Sequence, residues 1–135
     1  MGVEVYRTTS HKSVQEFIDS IKANAGANGY FVRGVFNLKE EYERQGSKVD
    51  ESFNAYQIIL CKFNYKSLQK NIKRLAVLLP PKQLVVYSDS DGNTLIEYLP
   101  FTKEIIQEAL PGDEEFAVNQ SNACQGIIKL IEASQ

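Results

Sequence analysis

The sequence predicts an α+β domain: a curved antiparallel sheet of about five strands packed on two main helices, in the order strand, helix, four strands, helix, with short helices inserted. Three observations lead there. Two segments carry apolar residues at helical spacing on one side only. The β-rich runs between them include a hairpin whose turn is too short for a crossover, so its strands pair antiparallel. Two one-sided helices then need a common sheet face against which to bury their stripes. A chain of 135 residues with an apolar fraction of 43% is of one-domain size and can fill a core.

The elements follow in order. Residues 3–8 are rich in β-formers and read as a first strand. Ser13 and Glu16 have capping-box spacing, and Val14, Phe17, Ile18, Ile21 and Ala25 then form one stripe. Gly26 and Gly29 are natural stops for this helix. Residues 30–36 read as a strand, with Tyr30, Val32, Gly34 and Phe36 on one face and Phe31, Arg33 and Val35 on the other. Asn37 caps a short helix whose buried side is Leu38 and Tyr42, and Gly46 ends it. Residues 47–53 are a polar loop. Residues 56–63 are a strand, and 65–78 a helix or broken helix with Leu68, Ile72 and Leu75 near helical spacing. Pro80 and Pro81 stop it, because neither can donate a backbone hydrogen bond. Residues 82–88 and 93–99 form a hairpin around Asp89, Ser90, Asp91 and Gly92. Thr102 caps a short helix over 103–110, residues 113–116 are an acidic loop, and a final helix runs from about 119 to 133 with Ala123, Ile127, Ile128 and Ile131 inward.

The strand patterning predicts more. A sheet with one wet face alternates cleanly. Here Ile58 and Leu60 oppose Ile59, Cys61 and Phe63, Leu84 and Val86 oppose Val85 and Tyr87, and Leu95 and Leu99 oppose Ile96 and Tyr98. The second face therefore needs a cover, either inserted helices, a second copy of the chain, or a ligand.

Composition narrows the classes of function. A net charge of −2 argues against a protein that grips a nucleic-acid backbone. The run Lys62, Lys66, Lys70, Lys73 and Arg74 reads as a solvated helix face. No apolar run reaches the roughly 18 residues of a membrane helix, and the N-terminus lacks the pattern of a signal peptide, so the expected setting is cytoplasmic. Cys61 and Cys124 are expected to stay thiols there. One histidine and two separated cysteines give no zinc pattern, so neither a metal nor a cofactor is expected.

The segments Tyr56-Gln57-Ile58-Ile59-Leu60-Cys61, Leu78-Leu79-Pro80-Pro81-Lys82-Gln83-Leu84-Val85-Val86-Tyr87 and Asp91-Gly92-Asn93 resemble the domain of unknown function 302 family. That family shows a Tyr-x-Ile-Leu strand ending in Cys-Asn-Pro, then Leu-Leu-Pro-Cys leading into an apolar strand and a Gly turn. Its leading helix followed by Gly-aromatic is similar to residues 13–30. The resemblance implies a TATA-binding-protein-like fold that can be homodimeric, and nothing about DNA. Cys61-Lys62-Phe63 and Pro80-Pro81 depart from the pattern, and the second family cysteine is missing. A function needing two nearby thiols is thereby in doubt, unless the last helix brings Cys124 to Cys61.

Candidate site residues follow. Cys61 is the one catalytic candidate, as a thiolate whose pKa Lys62 and Lys82 would lower; the alternative is a small apolar residue on a buried strand. Tyr56, Tyr87, Tyr98 and Lys82 are ligand or interface candidates, with Tyr87 and Tyr98 placed on one sheet face. His11 reads as a surface residue, Glu97 as an exposed strand position, and Asp89 with Asp91 as a plain turn. The expectation is a non-enzymatic binding or interaction module, homodimeric, using an apolar sheet face, with an apolar small molecule or a protein as partner. The alternative is a thiol-dependent enzyme or redox protein using Cys61.

Overall fold

The structure, a computed structural model, describes residues 3–74, 76–77 and 79–135. Strands β1 (Tyr6–Ser10), β2 (Tyr30–Asn37), β3 (Ala55–Lys62), β4 (Gln83–Ser88) and β5 (Thr94–Tyr98) form one antiparallel sheet in the order β1-β5-β4-β3-β2. The first strand starts later than its composition suggests, because only Tyr6 to Ser10 finds partners, from Tyr98 to Thr94 of β5. The hairpin turn closes as expected, with Gly92 at φ +80° and the Asp89 carboxylate accepting from the amides of Asp91 and Asn93.

Helices α1 (Val14–Asn24) and α5 (Glu114–Ser134) cover one face. Both halves of the capping box at Ser13 and Glu16 are made, and Val14, Phe17, Ile18 and Ile21 are buried. Each such side chain contributes about 1.5–3 kcal/mol. The chain leaves α1 through a 3-10 turn over 26–28, and Gly29 takes the left-handed conformation at φ +82°. The core between helices and sheet contains Tyr30, Ile58, Leu60, Leu84, Val86, Ile96, Tyr98, Cys124, Ile127, Leu130 and Ile131.

Three short helices complete the chain. Helix α2 (Leu38–Arg44) is capped by Asn37. The expected buried side of α2 is only half right: Leu38 is half-buried but Tyr42 is 60% exposed, and no residue of this short helix is fully buried. Helix α3 (Tyr65–Asn71) gives way to a 3-10 turn over 72–74, so the segment is a broken helix; Leu75 and Leu78 lie outside the described residues. Helix α4 (Lys103–Ala109) is capped by Thr102 and buries Ile106 with Phe116 and Ala117 of α5.

Two sequence expectations need correction. The acidic segment 113–116 is not a loop. Asp113 caps the amide of Phe116, and Glu114 and Glu115 lie in the first turn of α5, where acidic side chains suit the positive end of the helix dipole. The face assignment of β2 also fails beyond Val32. A bulge at Arg33 sets Val32 opposite Leu60 but Gly34 opposite Ile59. Tyr30, Val32, Val35 and Asn37 therefore share the helix side, and Phe31, Gly34 and Phe36 the other, because one extra residue inverts the alternation of a strand.

Candidate functional site

The sheet face away from α1 and α5 holds Arg7, Phe31, Phe36, Gln57, Ile59, Cys61, Val85, Tyr87, Leu95 and Glu97, and none of these is fully buried. It is not uniformly apolar. Toward β1 and β5, Glu97 Oε2 accepts from Arg7 Nε at 2.6 Å and from the Tyr87 hydroxyl at 3.0 Å. Donation to Glu97 raises the Tyr87 pKa, since it favours the neutral phenol. In the middle, Gln57 Nε2 donates to Gln83 Oε1 at 2.5 Å. Toward β2, Phe36 folds over Gly34, where any side chain would meet its ring at 2.9 Å.

The apolar end of this face deepens into a trough of about 430 Å³. Its floor is Phe31, Ile59 and Cys61, its far wall is Leu68, Ala76 and Val77, and Arg33 and Lys82 are the two cations on it. Local chemistry builds the wall. After β3, the Phe63 amide bonds Gly29 O at 2.9 Å, and Asn64 Oδ1 accepts from the Ser67 amide at 3.0 Å to start α3. At the other end Arg74 pairs with both oxygens of Asp113, bonds Asn71 Oδ1 at 2.7 Å, and lies 4.9 Å over the Phe116 ring. The α3 segment is thus pinned at both ends, with Leu68 lining the trough across from Ile59 and Cys61. A second opening of about 300 Å³ continues past Phe31 and Cys61 to Phe63 and Tyr65, which are 73% and 72% exposed. Phe31 and Phe63 meet edge to face at 5.9 Å.

Below the trough is a recess of about 40 Å³ that shares Cys61, Leu68, Ala76 and Lys82 with it. Asn64, Ser67, Asn71 and Gln120 add polar atoms. Lys82 Nζ donates to Ala76 O at 3.2 Å. Burial lowers the Lys82 pKa, because it disfavours the charged ammonium. Gln120 Oε1 is buried and has no hydrogen-bond partner among the described residues. Among the described residues no group of three or more metal-ligating side chains gathers, and no helix is long and apolar enough to cross a membrane.

A family model described as "Domain of unknown function DUF302" matches residues 6–131. The chain belongs to the DUF302 family. Among solved structures, it is similar to the crystal structure of an uncharacterized conserved DUF302 protein from Bacillus stearothermophilus, at 19% identity and a TM-score of 0.71, with 97% of this chain and 98% of that chain covered. At that identity the likeness carries the fold. No curated protein matches.

Set on this DUF302 fold, the residues singled out from sequence divide. Cys61 and Lys82 come together at the trough. Tyr87 and Tyr98 do not share a face: Tyr87 stands opposite Leu95 on the open side, and Tyr98 opposite Leu84 on the helix side. Strand alternation puts residues 87 and 98 out of phase once the hairpin register is set. Tyr98 is buried beside Cys124, and burial drives its pKa above the ordinary range. Tyr56 also faces the helix side, where its hydroxyl accepts from Asn37 Nδ2 at 3.2 Å. Cys124 is fully buried in the core, while Cys61 is half-buried on the open face, so the sheet separates the two free thiols. His11 is exposed. Sequence reasoning missed Asn64, Asn71, Arg74, Asp113 and Gln120. The Asn64 to Ser67 spacing is a readable cap signal. Nothing local marks Gln120, which joins the site only by the packing of α5.

Proposed function

We propose that this DUF302 protein is a non-enzymatic binding module whose working surface is the open sheet face, with the trough beside Cys61 as its small-molecule site. The observation that supports this reading is the trough itself. It has the volume and apolar lining of a ligand pocket, with a few polar groups at one end. Its aromatic floor is uncovered, with Phe31 41% exposed. The remaining apolar side chains of that face, Phe36, Val85 and Leu95, supply a surface on which a second copy would pack, making the module a homodimer. With both cysteines free, a reducing cytoplasmic setting suits it.

Native mass spectrometry of gently purified protein tests both parts. A dimer carrying a small-molecule adduct is the expected result. A bare monomer that also ignores apolar probes would end the proposal. The alternative, thiol chemistry at Cys61, draws on that residue lining the trough and its recess. Unchanged ligand binding in Cys61→Ser, with no thiol-dependent turnover in the parent protein, separates binding from chemistry.

A further inference from the structure

The trough and the recess differ in character but share Lys82 at their junction. Above it are Phe31, Ile59, Leu68 and Val77; below it are Asn64, Ser67, Asn71 and Gln120. Beyond the recess a polar groove of about 350 Å³ runs on past Lys62, Asn119 and Asn122. The chain carries 17 acidic residues, yet none is among the described residues lining the trough, the recess or the groove. Acid outnumbers base over the chain as a whole, which makes that gap informative, because a carboxylate there would repel an anion or neutralise the lysine. Lys82 donates one hydrogen bond, to Ala76 O, and no carboxylate pairs with it among the described residues, which leaves two N–H groups for a guest. The carboxamide oxygen of Gln120, which finds no partner among the described residues, is a second open position in the recess wall. A buried polar atom with nothing to bond is costly, and half a turn of the carboxamide would offer its N–H₂ to an anion instead.

We propose that the ligand is an amphipathic anion, with an apolar chain or ring along Phe31, Ile59 and Val77 and a carboxylate head seated at Lys82 and Gln120. The inference rests on the binding reading above and specifies its ligand class. Arg33, at the open side of the trough, adds to the positive potential that draws such a molecule in. The recess has room for a head no larger than a few heavy atoms, which suits a carboxylate and excludes a bulky headgroup.

Isothermal titration calorimetry with decanoate, 1-decanol and decylamine tests the inference on the full chain. Decanoate should bind, decanol about tenfold more weakly, and decylamine more weakly still, as a charge-assisted contact to Lys82 requires. Lys82→Met should weaken decanoate about tenfold and leave decanol unchanged, and Gln120→Leu should weaken decanoate by a smaller factor. Decanoate should also slow alkylation of Cys61, a readout on the parent protein that needs no variant. Equal affinity for decanoate and decanol, or a Lys82→Met protein that binds decanoate as the parent does, overturns the anionic head while leaving the apolar trough standing. Failure of all three probes to bind, with no protection of Cys61, overturns the small-molecule reading itself.

Discussion

Gly126 lies in the middle of α5, where alanine ordinarily stabilises a helix by about 1 kcal/mol. Here the opposite is expected. A Cβ at Gly126 would come within 2.8 Å of the Tyr30 hydroxyl and within 3.5 Å of its ring. That hydroxyl donates to Ala123 O at 2.5 Å, and Tyr30 is only 1% exposed, so the ring has nowhere to retreat. Overpacking costs about 1–3 kcal/mol, and losing the buried hydrogen bond adds about 1 kcal/mol. Against the helix gain, Gly126→Ala should lose about 2 kcal/mol net, read as a fall of roughly 3–5 °C in Tm per kcal/mol for a chain of this size. Tyr30→Phe alone should cost about 1 kcal/mol. In that background the nearest contacts are ordinary ring carbons at 3.5 and 3.6 Å, so Gly126→Ala should become neutral or stabilising. Urea denaturation of the four proteins gives the coupling energy directly. If Gly126→Ala costs the same with Tyr30 and with Phe at that position, the steric argument is wrong.

Other consequences are as concrete. Native protein treated with N-ethylmaleimide should take one label at half-buried Cys61, and a second at Cys124 only after unfolding, counted by intact mass; two labels in the native state would contradict the burial of Cys124. Burial pushes the Tyr30 pKa up to about 12 and holds Tyr98 above the ordinary range as well. The unfolded chain then releases these protons first, so stability should fall as pH rises above about 10, by about 1.4 kcal/mol per pH unit for each such tyrosine. Urea midpoints at pH 9 and 11 check this, and Tyr30→Phe should flatten the fall. Arg74 holds the Asp113 carboxylate below the usual range, so its contribution is present above the unfolded pKa near 3.9 and lost as pH falls through the folded value. Asp113→Asn keeps the cap oxygen but should lower the Tm at pH 7, with the difference from the parent closing at low pH.

The strand–helix–four strands–helix order, the caps at Ser13, Asn37 and Thr102, and the Gly92 turn were legible in the chain because each depends on residues within a few positions of one another. The family resemblance was legible for the same reason, since it rests on short segments. The face of a strand beyond a bulge was not, because the extra residue at Arg33 is visible only against β3. The same holds for Tyr87 and Tyr98, whose opposition follows from the register of the β4 and β5 hairpin.

For the candidate site, Cys61 and Lys82 could be named in advance, since both lie on strand-bounded segments of clear pattern. That they meet Leu68, Ala76 and Gln120, drawn from segments up to some 60 positions away, could not. Local sequence determined which elements form and which side of each helix is apolar, because capping, turn geometry and periodicity act over a few residues. Only the tertiary structure decided that the second sheet face is half ion-paired and half an open trough, because that outcome depends on where α3 is pinned by Arg74 and Asp113 and on which side chains distant strands bring together.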